Sequence, residues 1–128
     1  MYTKRDTGGA GNTVVFVVAM KFGENIRALP KEKKAEFSRY MLARILQRNA
    51  KRRQEFKPGP LSKVLIDGAQ AYKATFTDVG LGVAGRGCVY ILISGPYLVN
   101  MSIRQRIEAR PEDLAAAAAS LESLKLKR

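Results

Sequence analysis

Hydrophobic positions recur in two different rhythms along this chain, and the change of rhythm divides it into elements. Thr13 to Met20 is continuously apolar and β-branched, which predicts a central strand or one covered on both faces. From Lys31 to about Arg53 the period becomes helical: Phe37, Met41, Leu42, Ile45 and Leu46 fall on one face. That helix would run about 33 Å at 1.5 Å per residue. Pro30 stands near its start, and Pro58-Gly59-Pro60 is expected to end it. Period two then takes over. Leu61 to Ile66 and Ala69 to Val79 read as strands separated by a bulge or bend at Gly68. In the second, Tyr72, Ala74 and Phe76 alternate with Lys73, Thr75 and Thr77, so one face should be wet.

Gly80 to Gly87 is expected to turn the chain into an apolar strand, Cys88 to Ser94, and Gly95-Pro96 to turn it again. In the strand that follows, Tyr97, Val99, Met101 and Ile103 should point inward. Asn100, Ser102, Arg104 and Arg106 should form an outward polar row. Pro111-Glu112-Asp113 opens a last helix, with proline at its first position and acids at the positive end of its dipole. Leu114, Ala117, Ala118, Leu121 and Leu124 give it a narrow apolar stripe, and Lys125, Lys127 and Arg128 suit its C-terminus. The polar, glycine-rich residues 1–12 read as a flexible N-terminal arm. Residues 13–128 then form a single α+β domain: an antiparallel β-sheet packed by a long basic helix and a C-terminal helix.

Charge changes this picture most. The chain carries a formal net charge of +12. Residues 1–64 hold 15 Lys and Arg against 5 Asp and Glu, whereas residues 65–128 hold 8 against 6. The excess is therefore concentrated, and a concentrated positive field attracts phosphates, acidic protein faces or anionic lipid. Around the long helix, Lys33, Tyr40, Arg44, Gln47, Arg48 and Lys51 occupy one arc away from the apolar face. Neither Glu32 nor Glu36 has a cation four residues on, so little at that spacing neutralises the stripe. Such a stripe can track a phosphate backbone, with Tyr40 as a ring for stacking or a hydroxyl for a phosphate. It can equally be a solvated face. The closing cluster Lys51-Arg52-Arg53 also suits a helix C-terminus for dipole reasons alone.

Candidate chemistry is sparse. The chain has no histidine, which removes the commonest general base and metal ligand. Its single cysteine, Cys88, sits in an apolar run and reads as a buried small hydrophobe. Asp67 and Asp78 sit at strand ends close to glycines, as turn residues do, and no metal-ligand spacing is present. Gly80-Leu81-Gly82-Val83-Ala84-Gly85 spells the dinucleotide fingerprint, but a strand rather than a helix follows it. The alternative is a hairpin loop whose glycines supply positive φ, with Arg86 able to meet an anion. Arg104 and Arg106 form a second, smaller basic pair. No cofactor is implied.

The order strand, long helix, antiparallel strands, closing helix, together with Val64-Leu65-Ile66-Asp67-Gly68-Ala69-Gln70-Ala71-Tyr72, resembles the Mog1/PsbP-like superfamily. The strand Cys88 to Ser94 and the tyrosine-bearing strand Tyr97 to Ile103 belong to the same likeness, which spans roughly residues 13–126. It implies a sheet sandwiched by helices and a non-catalytic binding role. Members of that superfamily bind a small GTPase, attach to photosystem II or serve as bacterial envelope lipoproteins. The basic stripe is not a hallmark of that superfamily.

The expectation is thus a non-enzymatic binding module whose basic helix docks an acidic protein surface or polyanion. Nucleic acid, as RNA or single strands, is the alternative partner. An enzyme acting on a phosphorylated ligand at Gly80–Gly87 is the remote one. No segment has the length of a transmembrane span. As the chain stands it would be cytoplasmic; a leader upstream of Met1 would make it periplasmic or membrane-anchored. The partner's identity and the oligomeric state stay open.

Overall fold

The computed structural model describes residues 2–7, 13–52, 54–80 and 82–123. A six-stranded, wholly antiparallel sheet forms the middle layer, in the spatial order β1-β2-β6-β5-β4-β3. Its strands are β1 (Tyr2–Thr7), β2 (Thr13–Lys21), β3 (Gln54–Ile66), β4 (Ala69–Gly80), β5 (Val83–Ser94) and β6 (Tyr97–Arg106). A short helix α1 (Glu24–Arg27) and the long helix α2 (Lys31–Arg52) cover one face, and α3 (Pro111–Glu122) covers the other. The α+β class and its two packing helices are as the hydrophobic pattern predicts.

Because both faces are covered, two cores exist. On the α2 face, Leu42 and Leu46 pack with Phe56, Tyr72, Ala74, Phe76, Val89, Ile91, Ile93 and Leu98. On the α3 face, Ala117 and Leu121 pack with Val15, Ile66, Ala71, Cys88, Tyr90, Leu92, Val99, Met101 and Ile103. Alternation along β5 distributes its side chains to the two cores, which is why Cys88 to Ile93 reads as one unbroken apolar run. Burying a leucine such as Leu42 contributes about 2 kcal/mol.

Several expectations shift. Residues 2–7, assigned from sequence to a flexible arm, pair as the edge strand β1 along β2, from Tyr2 opposite Val18 to Thr7 opposite Thr13. The rest of that arm, residues 1 and 8–12, lies outside the described residues, as do Leu124 and the basic tail. Pro58-Gly59-Pro60 does not end α2, which stops at Arg52; it lies inside β3. β3 is the opposite edge, where missing N–H groups cost no ladder bond, and the register shifts on either side of Pro58 absorb the prolines.

Of the bulge or bend expected at Gly68, the structure has the bend, as half of a tight hairpin turn. Asp67 and Gly68 both have positive φ, 50° and 78°, as the two central residues of a type I′ turn require. Gly80 to Gly87 is likewise no open loop: β4 runs to Gly80 and β5 begins at Val83.

The wet face of β4 is wet only at one end. Thr75 and Thr77 are exposed, but Ala71 and Lys73 lie under α3. On α2 the buried line is Ser38, Leu42 and Leu46, and Phe37, Met41 and Ile45 are only partly buried. The Ser38 hydroxyl is satisfied by the Lys34 carbonyl at 2.9 Å. This rotation of the helix leaves Met41 and Ile45 along one flank.

Candidate binding surface

Helix α2 lies over β3, β4 and β5, off centre on a six-stranded sheet. Its flank therefore overhangs β6 and β2, whose residues on that side are Leu98, Asn100, Ser102 and Arg104, and Phe16, Val18 and Met20. A polar cleft of about 270 Å³ opens under the last turns of the helix. It is lined by Ile45, Arg48, Asn49 and Arg52 from α2, by Asn100, Ser102 and Arg104 from β6, and by the rings of Phe16 and Phe76. A second recess of about 200 Å³ continues it toward Met20 and Met41, sharing Ile45, Arg48 and Asn100 and adding Val18, Arg44 and Leu98. The result is a groove whose floor passes from Asn100 and Ser102 to Val18, Met20 and Leu98, beside a wall of arginines. Among the described residues, no carboxylate lines it.

The outward row predicted on β6 is thus brought against the basic helix. Asn100 and Ser102 are half-buried and floor the groove. Arg104 differs from expectation: it is no free surface cation. Its Nε lies 3.0 Å from Asp78 Oδ1, and a terminal nitrogen lies 2.9 Å from the same oxygen. That nitrogen also donates to the Val83 carbonyl at 3.1 Å. Asp78 is buried, so this carboxylate is a structural counter-ion rather than a turn residue. Arg106 is exposed and pairs with Glu108 at 3.1 Å.

The predicted stripe divides between the two flanks and the crest of α2. Arg44 and Arg48 border the groove. Tyr40 lies on the opposite flank beside Arg39, Leu61 and Tyr72. Its hydroxyl accepts a hydrogen bond from Arg44 at 2.9 Å, and the Arg44 guanidinium carbon sits 5.7 Å from the ring centroid. The ring is therefore already occupied by a cation, which lessens its use for stacking. Lys33 pairs with Glu36 at 3.5 Å, a three-residue spacing that partly neutralises the start of the stripe. Gln47 and Lys51 are exposed outside the groove. Arg48, Lys51 and Arg52 make no ion pair with the described residues. Sequence reasoning missed Arg52, Asn49 and Phe16 as groove residues. Only the position of β2 beside β6 brings them into it.

Arg86 also departs from expectation. It lies in β5, where its Nε donates to Gln105 Oε1 at 2.8 Å and a terminal nitrogen donates to the Ala109 carbonyl at 2.9 Å. Gln105 is fully buried and donates onward to the Arg110 carbonyl at 3.2 Å. Arg86 thus ties the sheet to the loop before α3.

The glycines of the fingerprint have structural reasons. Gly82 has φ +78° in the turn; a Cβ on Gly85 would lie 2.5 Å from the Arg104 guanidinium; one on Gly87 would collide with the Ile103 carbonyl and the Phe76 ring.

On the α3 face, a cluster joins the buried Tyr90 and Cys88 to the half-buried Glu122 and Lys73. The Tyr90 hydroxyl donates to Glu122 Oε2 at 2.6 Å, and Lys73 Nζ lies 3.1 Å from the same oxygen. Burial, followed by the bond to Glu122, drives the Tyr90 hydroxyl far above its ordinary range. Burial acts to raise the Glu122 carboxyl, but the bonds from Tyr90 and Lys73 together outweigh it and hold the group below its ordinary value. Burial raises the Cys88 thiol. These shifts keep a neutral phenol, a carboxylate and a protonated thiol in place. Among the described residues no three Asp, Glu or Cys side chains converge as metal ligands would, and no helix is long and apolar enough to cross a membrane.

No protein-family model matches the chain, and no curated protein matches it in sequence. The fold is shared with a solved structure from Pseudomonas aeruginosa, described as a "Protein of Unknown Function PA94" and "Putative Regulator". The TM-score is 0.70 at 15% sequence identity, over 100% of this chain and 83% of that one. At that identity the likeness concerns the fold.

Proposed function

We propose that this chain is a non-enzymatic binding module that docks an acidic protein segment along the α2 flank. The observation that carries this reading is the groove between α2 and β6/β2. Arg44 and Arg48 border the recess of Val18, Met20, Met41 and Ile45, Arg52 borders the adjoining cleft, and among the described residues no carboxylate lines either. Met20 is 48% exposed on the groove floor. A partner with acidic side chains interleaved with apolar ones satisfies both the wall and the floor, whereas a bare phosphate backbone uses only the wall. The element order that resembles the Mog1/PsbP-like superfamily supports a binding role as well. So does the polar cluster on the α3 face, whose four groups are held in their unreactive or ion-paired forms.

The test is fluorescence anisotropy with two labelled probes, an acidic peptide alternating Glu with Leu and Phe, and a mixed-sequence RNA oligonucleotide. The peptide is expected to bind the wild type and to lose that binding in the R44E/R48E/R52E variant. Full binding by the variant overturns the proposal. Tighter binding of the oligonucleotide, with a steep loss of affinity between low and moderate salt, replaces the acidic protein by nucleic acid.

A further inference from the structure

The α2 face of the sheet is covered unevenly. Six strands about 4.8 Å apart span about 24 Å, and packed helices stand about 8–10 Å apart, so this face is wide enough for two helices side by side. Helix α2 takes the side of β3, β4 and β5. Beside it, β6 and β2 together present about 10 Å, the width of one helix. Among the described residues, no second helix longer than the single turn of α1 lies on that face.

The flank of α2 above this strip is graded in polarity. Near its start a third recess, of about 240 Å³, is lined by Phe22, Asn25, Ile26, Leu29 and Phe37. Phe22 follows Met20 by two residues and Phe37 precedes Met41 by one helical turn; their rings meet edge-on at 5.8 Å. Phe22 is 44% exposed. Among the described residues, neither a cation nor a carboxylate lines this end. Toward the other end stand Arg44, Arg48 and Arg52. The flank thus passes from apolar at Phe37 to basic at Arg52 over about 22 Å.

We infer that the partner segment is an amphipathic helix with acids in its first turns and apolar residues in its later ones, lying on β6 and β2 antiparallel to α2. This rests on the acidic-segment reading of the same groove and specifies it. Strands β2 and β6 are interior, each hydrogen-bonded to a neighbour on both sides. An extended segment therefore has no ladder to join, and its own polar backbone would lie unsatisfied on Val18, Met20 and Leu98. A helix satisfies its backbone internally and offers an apolar stripe to that floor. Charge sets the direction. Acids stabilise the N-terminal turns of their own helix, and here they face Arg48 and Arg52, so the partner helix starts beside the end of α2. Its apolar end then reaches Phe22 and Phe37. A second copy of a chain carrying +12 suits these arginines poorly.

The experiment compares three labelled peptides of one composition and about 15 residues, the length that spans the flank as a helix. One has helical apolar spacing with acids first, one the same spacing with acids last, and one alternates Glu with Leu and Phe. By fluorescence anisotropy the acids-first peptide is expected to bind at least tenfold more tightly than the alternating one. It should bind about fivefold more tightly than the acids-last one, the scale of its dipole terms. Its circular dichroism should become helical on binding. Phe22→Ala should weaken it about fivefold, the scale of burying the exposed half of that ring. A nitroxide on its first residue should broaden the amide signals of residues 48–52, and one on its last residue those of residues 22–29. Equal binding of the alternating peptide overturns the helix and leaves the acidic-segment reading standing, whereas binding of no peptide overturns both. Reversed broadening, or an unchanged affinity in Phe22→Ala, overturns the orientation. A free chain that sediments as a dimer and becomes monomeric in Met20→Glu makes a second copy the occupant and overturns the partner helix.

Discussion

The Arg104 guanidinium closes on the buried Asp78 carboxylate, with nitrogens at 2.9 and 3.0 Å from one oxygen, and lies directly above Gly85. This fork joins β6 to β4 across β5 and fills the space that a side chain at position 85 would need. It also removes Arg104 from the free cations of the neighbouring groove.

Removing one member of such a pair leaves the other uncompensated. Asp78→Asn and Arg104→Ala are each expected to destabilise the fold by about 3 kcal/mol. The check is the urea midpoint at neutral pH. The double variant should lose less than the sum of the singles.

The glycines near the β4–β5 turn should rank by what their Cβ would meet. Gly87→Ala forces a methyl against the Ile103 carbonyl and the Phe76 ring and should cost about 3 kcal/mol. Gly82→Ala meets open space at φ +78° and should cost about 1 kcal/mol. Thermal melts of the two variants measure the order; the reverse order would contradict the packing described here.

Stability should fall in acid partly through Glu122. Its carboxyl lies below its ordinary value of 4.5 in the folded chain, so the folded state holds its proton less tightly than the unfolded state. The contribution is fully present above the unfolded value and fades as pH drops through it toward the folded one. Glu122→Gln keeps an acceptor for Tyr90 but removes the titration. Its urea midpoint should drop less than the wild type's between pH 6 and about pH 3.

Tyr90→Phe deletes the hydroxyl that donates to Glu122 at 2.6 Å while preserving the ring. A loss of about 1.5 kcal/mol is expected, the scale of a hydrogen bond to a charged group. The pH dependence just described should shallow in the same variant, because Glu122 loses one of the bonds that depress it.

Cys88 is 2% exposed and its thiol is raised by burial. A thiol-specific colorimetric reagent should label it slowly in buffer at pH 8 and quickly in denaturant. Rapid labelling of the folded chain would contradict its burial.

Much of the architecture was legible in the order of residues. Local pattern carries helix and strand identity, because period 3.6 and period 2 place apolar groups on one face without reference to anything distant. Thus the helix through Phe37 to Leu46, the strand Cys88 to Ser94 and the proline-opened α3 all stand where the pattern puts them. Positive charge on α2 was equally visible, since composition needs no partner to be read.

What the tertiary structure decided is which residues meet. Strand order β2-β6-β5-β4 places Asn100 and Ser102 beneath Arg48, and Phe16 beside them, although Phe16 and Asn100 are 84 residues apart in the chain. It also turned Arg86 and Arg104 from apparent surface cations into anchors for Gln105 and Asp78. Burial makes an unpaired charge costly, so the fold pairs the arginines that it encloses and leaves the helix arginines open. Charge content follows from the sequence alone. Which charges remain free to bind follows from packing.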